Sequence, residues 1–162
     1  MQYDYVNGYQ NVSGNTERSG VELSGKAQFT SWASGMASYT FTDTEKADGT
    51  RLIRVPRHVY TLGLDITPFE KLSIGATAHF VRDTLDVDPV TFAQDYRLDN
   101  YVLVNSKVTY AVSDDLSLYV RGVNLLNDHY QTLQGYGTSG RAVYAGLTMK
   151  LTGPQPIAEP AK

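Results

Sequence analysis

The sequence predicts an all-β chain, an antiparallel up-and-down meander of about eight strands of the transmembrane β-barrel type. Three observations carry this. Apolar and polar residues alternate with period two through most of the 162 residues. Short and long connections alternate strictly between the periodic runs. No window approaches the roughly 18 consecutive apolar residues of a membrane helix, and mean hydropathy is only −0.31. Barrel strands keep average hydropathy low because half of their side chains face away from lipid.

The elements follow in order. A weaker periodic segment lies around Tyr3 to Val12. The first clear one places Val21, Leu23, Gly25, Ala27 and Phe29 on one face, against Glu22, Ser24, Lys26 and Gln28. Ala33, Gly35, Ala37, Tyr39 and Phe41 then alternate with Ser34, Met36, Ser38, Thr40 and Thr42. Tyr60, Leu62, Leu64 and Ile66 oppose Thr61, Gly63, Asp65 and Thr67. Leu72, Ile74, Ala76, Ala78 and Phe80 oppose Ser73, Gly75, Thr77 and His79. Val102, Val104, Val108, Tyr110 and Val112 oppose Tyr101, Leu103, Asn105, Lys107 and Thr109. Leu116, Leu118 and Val120 oppose Ser117, Tyr119 and Arg121. Val143, Ala145, Leu147, Met149 and Leu151 oppose Tyr144, Gly146, Thr148 and Lys150. Glycine and β-branched residues recur inside every segment, which disfavours helix.

Connections at residues 30–32, 68–71 and 113–115 have turn chemistry. Residues 43–54, 85–97 and 124–140 are long and polar. Outer-membrane barrels show this asymmetry, with short periplasmic turns and long outer loops. Tyr39, Phe41, Tyr60, Phe80, Tyr110 and Tyr144 fall near strand ends. Interfacial girdles and ordinary cross-strand packing both account for that placement.

Composition narrows the function. Fourteen Lys+Arg stand against 17 Asp+Glu, a net charge of −3, and there is no Cys. A basic nucleic-acid binder and a disulfide scaffold are excluded. Residues 1–8 show no basic start before an apolar run, so no signal peptide is expected there. The reading divides into a barrel portion, 1–151, and an extended, mobile, Pro-rich tail, 152–162, with Pro154, Pro156 and Pro160.

Two motifs are more specific than alternation. Pro56, Arg57 and His58 open a strand that ends near Asp65. Asn124, Leu125, Leu126, Asn127, Asp128, His129 and Tyr130 are followed by Gly135, Tyr136 and Gly137, and then by Gly140 and Arg141 at the last strand. Together with Gly20, Val21 and Glu22, these resemble the C-terminal barrel strands of TonB-dependent outer-membrane receptors, in the cobalamin and siderophore group. The resemblance covers roughly residues 9–151 and implies about the last third of a barrel of about 22 strands. It implies a bacterial outer-membrane location. It also implies, for the intact family, energised import of a metal chelate or cobalamin with a plug domain and TonB as partners. Neither plug nor TonB-contacting segment has a counterpart here, so independent transport is not expected of these residues.

No enzyme or cofactor chemistry stands out. His58, His79 and His129 lack metal-ligand spacing. Asp86 and Asp88 read as a solvated acidic loop, with calcium the alternative. No Ser lies in a nucleophile elbow. Residues 44–50, polar and charged, are expected to be exposed and mobile. Glu22, Lys26, Asp65, His79, Arg82, Lys107, Arg121 and Lys150 are placed on the polar faces, the lumen of a barrel. Two rivals remain open at this stage. One is a closed eight-stranded outer-membrane barrel with a structural or adhesive role. The other is a soluble β-barrel with the faces inverted around a small apolar ligand.

Overall fold

The computed structural model describes residues 2–4, 8–10 and 14–151. Eleven strands are β1 (Gln2–Asp4), β2 (Gly8–Gln10), β3 (Glu17–Thr30), β4 (Ala33–Glu45), β5 (His58–Phe69), β6 (Leu72–Arg82), β7 (Leu85–Asp86), β8 (Tyr96–Arg97), β9 (Tyr101–Ala111), β10 (Leu116–Val123) and β11 (Ala142–Met149). Seven of them form one antiparallel sheet in the order β11-β10-β9-β6-β5-β4-β3. Each strand pairs with its neighbour in the chain, apart from the excursion through β7 and β8. In such a meander, successive connections fall at opposite ends. Alternating short and long connections therefore gather every long loop at one end.

The expected eighth strand is the correction. Its residues form a separate hairpin, β1 on β2, with Tyr3 opposite Tyr9, and do not join the seven-stranded sheet. The tail 152–162 lies outside the described residues.

Register aligns the two faces without a break. Leu23, Tyr39, Tyr60, Phe80 and Val102 form one cross-strand row. The row Ala27, Gly35, Leu64, Ala76, Ser106, Gly122 and Val143 lies nearer the turns. A one-residue slip at any pair would move that strand's apolar set to the other face. Bulges between Gln28 and Thr30, and between Ile66 and Phe69, close the turn end. The second bulge accommodates Pro68, which lacks an N–H for the ladder.

The apolar face is exposed over its whole width. Leu23, Leu62, Leu118, Val120 and Leu147 all stand out to solvent, with Leu147 at 64% exposure. A monomeric soluble protein does not leave a contiguous apolar surface of this extent open. The opposite row runs Gln28, Ser34, Asp65, Gly75, Lys107, Arg121 and Tyr144. There the cations lie over aromatic rings: Lys107 Nζ is 4.7 Å from the centre of Tyr119, and the Arg121 guanidinium 4.7 Å from that of Tyr144. Gly146 makes room for this packing. A Cβ there would lie 2.6 Å from Tyr119 Oη.

Arg82 corrects the assignment of faces. It pairs with His58 in the row beyond Tyr60 and Phe80, so it stands on the apolar face at its loop end. Residues 44–50 are also less free than expected. Thr44 is buried, its Oγ1 accepting from Leu52 N at 3.0 Å. Lys46 and Gly49 close a turn at 2.8 Å, and Lys46 Nζ donates to Gln94.

The faces make a direct prediction. Arg at Ala76, near the middle of β6, should cost about 2–4 kcal/mol if that depth is the bilayer midplane, and Arg at adjacent Thr77 far less. Urea titration of the two variants in lipid vesicles measures the difference. Equal tolerance would defeat this assignment of the faces.

Candidate functional site: the loop rim and the polar face

Three loops meet at one end of the sheet: 46–57, 83–100 and 124–141. Buried residues of the chain concentrate there, with Val81, Leu85 and Leu98 among apolar groups and Thr44, Thr84, Asp86 and Asn124 among polar ones. Apolar area at this end is too small to hold loops alone. Charge and hydrogen bonding do it.

Asp83 is one centre. Its carboxylate accepts from Arg51 Nη1 at 3.1 Å and from Arg97, and Arg57 approaches to 3.9 Å. Its carbonyl accepts from Arg51 Nη2 and from Arg57 N. Its N–H donates to Asn100 Oδ1 at 3.0 Å. Burial pushes the Asp83 carboxyl up, but Arg51 and Arg97 outweigh it and hold the group below its ordinary value.

Asp86 is the second centre, and it is fully buried. Its Oδ1 accepts from Arg54 Nε at 2.8 Å and from Val87 N at 2.8 Å, and its Oδ2 from Gln134 N at 2.6 Å. One carboxylate thus ties together all three loops. Burial again pushes this carboxyl up. The N–H groups of Gln134 and Val87, with Arg54, prevail and hold it below the ordinary range. The expected solvated acidic loop is therefore wrong for Asp86, because donors from the other two loops replace its water. Asp88 accepts from the N–H groups of Val90 and Thr91, both at 2.8 Å, and closes a local turn. Among the described residues, no three of His, Asp and Glu converge as metal ligands.

The motif residues have legible structural work. Asn124 is buried with φ +48°. Its Nδ2 donates to the carbonyls of Asp128 and Ser139, its Oδ1 accepts from Asp128 N at 2.9 Å, and its N–H donates to Asn105 Oδ1. Leu125 packs over Gly122, and its N–H donates to Val104 O. Asp128 Oδ2 accepts from Val102 N at 2.8 Å, and Tyr130 stacks on Tyr101 at 4.3 Å. Asn127 Oδ1 accepts from Arg141 N, and a Cβ on Gly140 would lie 2.8 Å from that same oxygen. Gly135 has φ +83° and leaves Tyr136 exposed. In the other motif, Pro56 precedes the strand, Arg57 binds Asp43 at 2.9 Å, and His58 Nδ1 meets Tyr39 Oη at 2.9 Å.

Between β8 and the last loop lies a notch of about 380 Å³, lined by Tyr96, Leu98, His129, Tyr130, Gln131 and Thr138. It adjoins the polar-face side, because Tyr130 stacks on Tyr101, which shares a row with Val81 and Val59. Below it, Glu22, Lys26, Asp65, His79, Lys107 and Arg121 stand on the polar face. His79 Nδ1 is 3.1 Å from Thr61 Oγ1. Lys150, just past β11, keeps the polar parity and its N–H donates to Asp115 O. Sequence reading missed Arg51, Arg54, Asp83 and Arg97. Their only sequence signal was two short runs of Arg and Asp in loops that read as polar linkers.

An exposed apolar face, a charged opposite face and a rim of ordered loops define a wall of an outer-membrane-type β-barrel. Residues 2–125 match the family profile "TonB dependent receptor-like, beta-barrel". The vitamin B12 transporter BtuB of Vibrio cholerae is 32% identical over 141 residues, covering 86% of this chain and 23% of that protein. The iron-regulated outer membrane virulence protein of the same organism is 23% identical over 116 residues, 68% of this chain and 18% of its own length. Among solved structures, the ferric-catecholate import receptor Fiu of E. coli superposes with a TM-score of 0.72 at 20% identity, covering 88% of this chain and 22% of the receptor. The copper transporter OprC gives 0.71 at 15% identity, covering 85% and 24%. The chain belongs to the TonB-dependent receptor β-barrel family, and its place is the bacterial outer membrane. The chain spans less than a quarter of the length of these two curated relatives.

The rim should loosen in acid. Both centres have lowered native carboxyl values, so their contribution is complete above the unfolded value of about 4 and is lost as pH falls through the native ones. Spin labels at Val90 and Thr132 should show a narrow distance distribution at pH 7 that broadens well below pH 4. Asp86→Ala should broaden it already at pH 7, at a cost of about 1–3 kcal/mol from stranded donors. A distribution unchanged by both treatments would show that other contacts hold the rim.

Proposed function

We propose that this chain is a wall segment of a receptor that imports a scarce nutrient across the outer membrane, with cobalamin as the favoured substrate. The single observation that carries this is the two-faced sheet with all its ordered loops at one end. Cobalamin is favoured because the relative named for it matches 86% of the chain. A metal chelate is the second reading, supported by likeness to an iron-regulated outer membrane protein and to a ferric-catecholate receptor.

In this reading Glu22, Lys26, Asp65, His79, Lys107, Arg121 and Lys150 line the lumen and face a plug domain. Charges of both signs suit a plug that must bind and yet move. The notch beside His129 and Tyr130 faces incoming substrate, and the Asp83 and Asp86 centres hold its walls in place. TonB supplies the work through the plug. The chain itself is not an enzyme and holds no cofactor; its contribution is surface.

Seven strands do not conduct alone. Among the described residues, β3 and β11 lie at opposite edges of an open sheet. An unpaired edge in hydrocarbon costs several kcal/mol per group, so each must meet another strand of a larger wall. This also disfavours the closed eight-stranded barrel, and the exposed apolar face disfavours the soluble one. Labelled cobalamin uptake by receptor-null cells expressing residues 1–162 alone should equal the empty-vector control. Uptake above it would overturn the wall reading. Competition by excess ferric catecholate, in cells with the complete receptor, separates the two substrates.

A further inference from the structure

The apolar face is not uniform. Near its loop end, Tyr39, Tyr60 and Phe80 form a raised row, with Tyr39 and Tyr60 stacked at 4.7 Å. The next row toward the turns holds Gly25, Ala37, Leu62 and Ala78. Small side chains beside large ones leave a trough of about 600 Å³, whose lining includes Gly25, Ala37, Leu62, Tyr60, Phe80 and Arg82. Arg82 sits at the trough's loop end.

Charge makes this position unusual. Within β3 to β6, no other charged side chain stands on the apolar face between the His58–Arg82 row and the turns. The nearby carboxylates are already held: Asp43 by Arg57 at 2.9 Å, and Asp83 by Arg51 and Arg97. Arg82 has no carboxylate within ion-pair distance among the described residues and is exposed. Its row partner His58 is engaged with Tyr39 Oη. An Arg facing lipid at the interface costs little, since its stem lies on apolar surface while the guanidinium reaches the headgroups. Planar guanidinium matches phosphate with two parallel hydrogen bonds.

The dimensions suit a lipid. Arg82 to Ala76 is six residues, about 20 Å along the strand. At a strand tilt of about 45°, that drops roughly 14 Å, close to half of a hydrocarbon core of ~30 Å. Tyrosine hydroxyls lie at the upper end, where headgroups begin. We propose that this trough is a site for a phosphate-bearing lipid of the outer leaflet, with one acyl chain along Gly25, Ala37 and Leu62 and its phosphate on Arg82. This rests on the apolar face meeting lipid and is independent of which substrate the receptor carries.

The test uses the complete protein extracted from its outer membrane in mild detergent and stripped of lipid. Native mass spectrometry then reads retention of three probes: dimyristoyl phosphatidic acid, dimyristoylglycerol and inorganic phosphate. Phosphatidic acid should be retained roughly tenfold better than the diacylglycerol, as a charge-assisted bidentate contact implies. Arg82→Gln should bring it down to the diacylglycerol level. Ala37→Phe, which fills the trough, should weaken both lipids and keep their ratio. A phosphatidic acid preference that survives Arg82→Gln would overturn the headgroup assignment. Displacement of the lipid by millimolar phosphate would show a free-anion site and overturn the lipid one. If Arg82→Gln fails to assemble, Ala37→Phe alone decides: unchanged retention sinks the trough.

Discussion

Backbone polar groups have no water to turn to inside a bilayer, and the rest of this structure depends on that constraint. Every N–H and C=O crossing the hydrocarbon must pair with a neighbouring strand. A meander meets this with the shortest connections, and its strands of 8–14 residues bracket the roughly 9–11 that a tilted crossing needs. Pairing also makes register binding on side chains. Once Leu62 lies opposite Ala37 and Ala78, seven strands share one apolar face and one polar face. Pro68 and the two bulges sit at the turn end, where a missing ladder bond is tolerated.

With lipid covering the apolar side, this sheet needs little core of its own. What is buried lies mainly at the loop end, and much of it is polar. That inverts the usual order of soluble domains, where loops hang on an apolar interior. Here Asp83, Asp86 and Asn124 hold the loops by satisfying N–H and guanidinium groups that the long connections leave without partners. Asp86 is fully buried yet ionised in this arrangement, since two backbone donors and Arg54 replace its hydration. The same logic explains the Asn124 motif. Its side chain closes hydrogen bonds at both ends of the last loop, so its role is architectural and its neighbours His129 and Tyr130 are left to line the notch.

The two sides of the sheet divide labour. One side meets lipid, with aromatic residues near the loop end and Arg82 at the boundary. The other holds cations over tyrosine rings, Lys107 over Tyr119 and Arg121 over Tyr144, without a carboxylate directly bonded to them among the described residues. Hydrogen-bonded loops, a polar face and an exposed apolar face are what this chain shows as a member of the family.

Period two in the sequence was enough to determine the strands and their faces, because alternation in a strand maps directly onto sides of a sheet. Alternating connection lengths were enough to put the long loops at one end. The Asn124 to Arg141 spacing was enough to point to the family. Other features had to await tertiary structure. Tyr3 to Val12 has strand periodicity, but whether such a segment joins the main sheet or folds on itself depends on a turn and on available edges. Arg82 continues the parity of Phe80, yet its charge argued for the opposite face; only the ladder with His58 settles which side it takes. Residues 44–50 and Asp86 looked solvated because polar composition in a loop carries no information about partners 32 or 48 positions away. Arg54 and Gln134 reach Asp86 only after seven strands have aligned, and that long-range juxtaposition is the part that local sequence does not encode.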